Sequence, residues 1–196
     1  MVTIEDDAYF LSPGTLTRIR DHLEQGGLCI FPTETVYGIG CMYHSIISLR
    51  RIYEWKGRSW AKPLALLFGT VHRAVEFLQP SGWAKKILFH LLPGPVTVVV
   101  QKHPSVTLPS YLLSEGGKVG VRIPDHPLPL SIALLFRSPL ALTSANVSGE
   151  KEPAHAAEVP THQPFTDLLF LRTPQPTPLG KPVSYTHLTL PTNREV

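Results

Sequence analysis

The reading of residues 44–68, "HSIISLRRIYEWKGRSWAKPLALLF", decides the fold. Ile46, Leu49, Ile52 and Tyr53 recur at helical spacing and make one apolar face, which Gly57 ends. Residues 63–68, "PLALLF", then form a short apolar run of the kind that makes a buried strand. Between helix and strand lie three cations, Lys56, Arg58 and Lys62. Lys56 at the helix C-terminus complements the helix dipole. That leaves Arg58 and Lys62 unexplained. An arginine fork matches carboxylate or phosphate, and a lysine serves as a point charge, so a triphosphate or pyrophosphate fits the pair. From these residues alone a solvated charged loop is the competing reading.

The same alternation extends in both directions. Residues 12–27, "SPGTLTRIRDHLEQGG", predict a helix with Thr15 as N-cap, a stripe of Leu16, Ile19 and Leu23, and Gly26 and Gly27 as the stop. Residues 28–31, "LCIF", predict a strand. Thr70 and Ser81 open two further helices, and "PLPLSIALLF" at 127–136 is a third. Strands are predicted in "PVTVVVQK" (95–102), "GKVGVRIP" (117–124), "PLALTSAN" (139–146) and "DLLFLR" (167–172). About six strands alternating with helices give an α/β or mixed α+β sheet in one domain. Strand order is not encoded in this pattern.

Composition narrows the function class. With 43% hydrophobic and 17% charged residues, the 196-residue chain can bury a core and is not disordered. A net charge of +3 permits an anionic ligand but lacks the basic excess of a dedicated nucleic-acid binder. Cys29 and Cys41 sit in apolar segments and read as buried free thiols. No CxxC or HExxH occurs, so no protein metal site is expected. The acidic start "MVTIEDDAYFLSPG" is not a signal peptide, and no run approaches the roughly 18 apolar residues of a membrane span. A soluble, cytoplasmic protein without a membrane partner is the expectation. Prolines cluster at 124–129 and 153–191, which predicts an extended C-terminal third.

Besides the cationic loop, three segments could carry chemistry. In "FPTETVYGIG" (31–40) a buried strand runs into hydroxyl, carboxyl and phenol groups. Thr33, Thr35 and Tyr37 could form a strand-end pocket, with Gly38 and Gly40 admitting a ligand; an ordinary hairpin is the alternative. In "GVRIPDHP" (120–127) Arg122 lies between Val121 and Ile123, and a buried arginine needs an anion. That anion is either a structural partner such as Asp125 or a substrate carboxylate. In "LTSANVSGEKEPA" (142–154) Thr143, Ser144, Asn146 and Ser148 with free backbone N–H groups could nest a phosphate, or simply make a turn. No GxSxG and no GxxxxGK[ST] is present.

Taken together, these segments resemble the threonylcarbamoyl-AMP synthases of the YrdC/Sua5/TsaC family. The resemblance rests on "PTETVYGIG", the KxR motif at Lys56-Gly57-Arg58, "KPL" at Lys62, "PGPVTVVV", "GVRIPDHP" and "TSANVSG", and spans about residues 14–181. It implies a twisted mixed parallel and antiparallel sheet with flanking helices around a concave, positively charged cavity. The implied reaction, a nucleotidyltransferase chemistry, joins L-threonine, bicarbonate and ATP, delivered with Mg2+, into threonylcarbamoyl-AMP and pyrophosphate. Partner proteins would then carry the threonylcarbamoyl group to adenosine 37 of tRNAs that read ANN codons. By resemblance, Lys56 and Arg58 contact the ATP phosphates and the reacting centre. Ser144 and Asn146 hold the nucleotide, Arg122 takes the threonine carboxylate, and Thr33 sits beside it. Ser59 stands where the family commonly has proline. The expected division is a YrdC-like domain over 1–181 and an atypical tail over 182–196, foreign to the family or truncated, in which only Ser184 compares with the family's ending. Two other readings remain: a relative forming carbamoyl-adenylate, and a non-catalytic RNA-binding module.

Overall fold

A computed structural model of the chain describes residues 2–5, 11–160, 168–181 and 183–187. Nine strands among them form one sheet. They are β1 (Val2–Glu5), β2 (Leu28–Pro32), β3 (Tyr37–Met42), β4 (Ala65–Leu67), β5 (Val96–Gln101), β6 (Lys118–Arg122), β7 (Leu140–Ser144), β8 (Leu168–Arg172) and β9 (Ser184–His187). Their order is β1-β8-β2-β3-β7-β4-β6-β5-β9. The sheet is mixed, as expected. The pairs β1/β8, β2/β8, β4/β6 and β5/β9 are parallel, and β2/β3, β3/β7, β4/β7 and β5/β6 are antiparallel.

Strand alternation divides the core in two. Leu28, Ile30, Leu66, Ala141, Leu168 and Phe170 face one side, where helices α2 (Ile46–Lys56), α3 (Val71–Leu78) and α4 (Gly82–Leu91) supply Leu49, Ile52, Ala74 and Leu88. Cys29, Phe31, Leu67, Leu140, Leu142, Leu169 and Leu171 face the other, against Ile19 and Leu23 of α1 (Pro13–Glu24) and Leu128 and Ile132 of α5 (Pro127–Leu134). Both thiols are free and buried, one on each side, and burial drives their pKa far up. No helix among the described residues is long and apolar enough to cross a membrane.

Several local expectations need correction. The cap of α1 is Ser12, whose hydroxyl accepts the Thr15 N–H at 3.1 Å; Thr15 is already inside the helix. Ile46 is 40% exposed and stands off the α2 core face, which instead includes Trp55 and Lys56. The segment after β2 turns directly into β3. Gly40 serves the close approach of β7 to β3: a Cβ there would stand 2.9 Å from the Ala141 carbonyl of β7. Strands β1 and β9 were not expected from the sequence. β9 falls within the segment read as an atypical tail, of which residues 182 and 188–196 lie outside the described region.

Candidate active site

One end of the sheet gathers the chemistry-bearing segments. The β2–β3 turn, the end of β7 and the end of β6 converge on a half-open cleft. Thr33, Thr35, Gly38, Arg122, Thr143, Ser144 and Glu152 contribute to its wall. A second cleft, lined by Arg58, Lys62, Ser114 and Gly120, adjoins it and shares Ala65 and Tyr185. Residues from four separate stretches of sequence thus meet.

The cationic loop begins where α2 ends. Gly57 adopts φ 57° and ψ 34°, the left-handed C-cap that glycine accommodates, and the Arg58 N–H donates to the Tyr53 carbonyl at 3.0 Å. Beyond it the loop is pinned by the Tyr53 hydroxyl, which bonds the Lys62 carbonyl at 2.9 Å, and by Trp60 stacked on Tyr53 at 4.6 Å. The Arg58 guanidinium, half-buried at the second cleft, donates Nε to the Lys62 carbonyl (3.0 Å) and Nη2 to the Pro63 carbonyl (3.3 Å). Both acceptors are neutral. Lys62 is exposed on the same rim.

Lys56 departs from the sequence expectation. It is only 1% exposed and does not project into open space. Its Nζ donates to the Ser144 carbonyl (2.5 Å), the Asn146 carbonyl (2.8 Å) and Asn146 Oδ1 (2.9 Å). An ammonium has three N–H donors, and these oxygens occupy all of them. Burial first, and Arg58 second, pull its pKa down to about 7, with Glu152 opposing. The loop is fastened further: Ser144 Oγ donates to Asn146 Oδ1 (2.7 Å), Asn146 Nδ2 to the Glu150 carbonyl (2.7 Å), and the Ser148 N–H to the Lys56 carbonyl (2.7 Å). The expected nest of free N–H groups is therefore reduced, since the Ala145 N–H also goes to the Tyr37 carbonyl at 2.8 Å.

Arg122 is 2% exposed at the end of β6. Nη2 pairs with Glu34 Oε1 at 2.5 Å, and Nη1 donates to the Gly94 carbonyl and to the Val96 carbonyl at 3.0 Å. The protein anion is thus Glu34 and not Asp125, which is exposed. Burial pulls the guanidinium pKa down while Glu34 pushes it up. Thr33 lies in the cleft wall, but its hydroxyl donates to the Val36 carbonyl (2.8 Å) and accepts the Thr35 N–H (3.1 Å), so its oxygen shapes the turn. Tyr37, also in the wall, spends its hydroxyl on Thr173 Oγ1 at 2.9 Å.

The structure brings Thr33, Arg122 and Ser144 to one cleft, sets Arg58 at its neighbour, and places Lys56 and Asn146 as their support. Sequence reasoning passed over Glu34, although a buried arginine calls for an acid and Glu34 lies in a buried strand-end loop. It also passed over Thr97 and Glu152, which line the cleft without a local motif. No group of three or more His, Cys, Asp or Glu side chains among the described residues could cage a metal.

Comparison with known proteins gives the family and the fold. The family model for Sua5, YciO and YrdC proteins, described as "Telomere recombination", matches residues 21–182. The human threonylcarbamoyl-AMP synthase is 40% identical over 139 residues, 69% of this chain and 48% of that protein. The Yersinia enterocolitica threonylcarbamoyl-AMP synthase is 32% identical over 146 residues, 73% of this chain and 75% of that one. The chain spans about half the length of the mammalian relatives it matches. Among solved structures, P. abyssi Sua5 complexed with L-threonine superposes with a TM-score of 0.83 at 26% identity, covering 96% of this chain and 54% of that one. On the family match and these identities, the chain belongs to the Sua5/YciO/YrdC family.

Proposed function

We propose that the paired clefts make L-threonylcarbamoyl-AMP from L-threonine, bicarbonate and ATP. The observation that carries this is the meeting of Arg58, the Ser144–Asn146 loop and Arg122 at one end of the sheet, where fixed cations and polar groups surround two adjoining clefts. The names of the relatives and the threonine-bound Sua5 structure support the choice of substrates.

The chemistry explains why such a site needs cations. The threonine amine adds to bicarbonate, water leaves, and a carbamate forms. A carbamate oxygen then attacks the α-phosphorus of ATP while the bond to the β-phosphate oxygen breaks and pyrophosphate departs. Two anions must approach, so preorganised positive charge lowers the barrier. Arg58 suits this task. It holds only neutral carbonyls, and exchanging them for phosphate replaces ordinary hydrogen bonds with stronger charge-assisted ones. Ser144 and Asn146 position the nucleotide, and Lys56 fixes their loop from behind. Thr33 and Arg122 line the threonine side. Mg2+ would arrive as the ATP complex, as part of the substrate. No covalent enzyme intermediate is needed, and positioning accounts for the rate. The product would serve tRNA modification through separate transfer proteins.

Exchange of labelled pyrophosphate into ATP tests the assignment. It should require threonine and bicarbonate together. Exchange that proceeds equally well without threonine would remove the substrate assignment.

A further inference from the structure

We infer that Glu34 is a positioning residue, fixing the Arg122 guanidinium for an incoming carboxylate. Glu34 is 4% exposed and sits between Thr33 and Thr35, both in the cleft wall. Its Oε1 takes Arg122 Nη2 at 2.5 Å, while Oε2 is buried and has no hydrogen-bond partner among the described residues. A buried carboxylate oxygen left unpaired is costly. Such an arrangement persists where the surroundings hold it in place. The backbone here does so: the Leu179 N–H donates to the Glu34 carbonyl at 2.8 Å, and the Thr177 hydroxyl to the Thr35 carbonyl at 2.6 Å. Thr33 closes the turn through Val36.

The geometry divides labour around the guanidinium. The Gly94 and Val96 carbonyls hold Nη1 from β5's approach, and Glu34 holds Nη2 from the β2–β3 turn. The second Nη2 hydrogen reaches only the Thr35 hydroxyl at 3.5 Å, the longest of these bonds and the one an incoming carboxylate would replace. Gripped on both nitrogens, the plane of Arg122 cannot rotate freely. A fixed plane binds a carboxylate in one orientation at little entropic cost. Glu34 also compensates the buried charge, so Arg122 can remain ionised inside the fold. The role rests on the functional reading above, in which Arg122 faces the threonine carboxylate.

The test uses Glu34→Gln, which keeps an acceptor of the same shape, and Glu34→Asp, which keeps the charge on a shorter arm. Guanidinium nitrogen NMR of the full chain, needing no activity, reads the positioning itself. Wild type should give separate Nη1 and Nη2 signals for Arg122, and Glu34→Gln should merge them through rotation; equal hindrance in both proteins overturns the inference. In pyrophosphate exchange Glu34→Gln should raise KM for threonine about tenfold, as expected for losing a charge-assisted bond, with kcat and KM for ATP changed less than about twofold. Glu34→Asp should recover part of that loss. An equal drop in kcat with every KM unchanged, or tighter threonine binding, overturns the role. Wild-type exchange that ignores threonine while the NMR result holds would sink the functional reading and leave the positioning intact.

Discussion

Replacing Lys56 by methionine isolates the link between the cationic loop and the β7 loop. Methionine retains the length and most of the apolar stem but removes the ammonium. Three oxygens then lose a donor: the carbonyls of Ser144 and Asn146 and the side-chain Oδ1 of Asn146. A buried acceptor left short costs about 1–3 kcal/mol. Asn146 Oδ1 keeps the Ser144 hydroxyl at 2.7 Å, and removal of a buried cation returns part of its desolvation penalty. The net loss should be roughly 2–4 kcal/mol. Urea denaturation followed by tryptophan fluorescence measures it, with Trp55 adjacent to the substitution. The second readout is coupling. Lys56→Met and Asn146→Ala should each weaken ATP binding, and the double variant should lose less than the sum of the two by about 1 kcal/mol or more. Additive effects, or a stability loss under about 0.5 kcal/mol, would refute Lys56 as the clamp of that loop.

Other substitutions probe separate parts of the account. Arg58→Ala removes two bonds to neutral carbonyls at a half-buried position; stability should change by under about 1 kcal/mol while pyrophosphate exchange falls at least about a hundredfold, and retained turnover would return this loop to an ordinary charged surface. Gly40→Ala places a Cβ 2.9 Å from the Ala141 carbonyl, so the β3–β7 pairing should lose about 1–3 kcal/mol in the same urea assay; a neutral result would show that the strands can part. His126 caps α5 by accepting the Leu128 N–H at Nδ1 (3.2 Å), and burial lowers its pKa below the ordinary value, with Asp125 opposing. The unfolded chain then binds more protons as pH falls through about 6.5. Stability from this group is full above that pH and declines below it, by up to about 1–2 kcal/mol for a lost cap. His126→Asn keeps a capping oxygen and should flatten that decline; an unchanged pH profile would show that His126 does not cause it.

Much of this organisation was legible in the sequence where periodicity and punctuation agree. The helix at 46–56 with its Gly57 stop, the caps at Thr70 and Ser81, and the apolar runs of β2, β4, β5, β6, β7 and β8 follow from spacing and turn chemistry. The strand β3 was obscured because "YGIGCM" carries two glycines, normally strand-weakening residues, whose purpose is the close approach of β7. The edge strands β1 and β9 depend on partners distant in sequence, so local pattern does not mark them. The site was legible as residue types and not as contacts. Lys56, Arg58, Ser144, Asn146, Arg122 and Thr33 were all singled out and all gather at one sheet end. Their partners depended on strand order: β3 lies beside β7 and β6 beside β4, which brings Glu34 to Arg122 and Asn146 to Lys56. A residue that reads as a ligand contact in sequence can also fasten a neighbouring loop, as Lys56 fastens the Ser144–Asn146 loop.

The most direct test of the central claim is incorporation of carbon from labelled bicarbonate. The chain, incubated with labelled bicarbonate, L-threonine and Mg-ATP, should yield one labelled species containing both threonine and AMP, with pyrophosphate in equal amount. Omitting threonine should abolish it, and Arg58→Ala should nearly do so. A labelled adenylate that forms without threonine, or no labelled adenylate from a folded chain that binds ATP, would contradict the account.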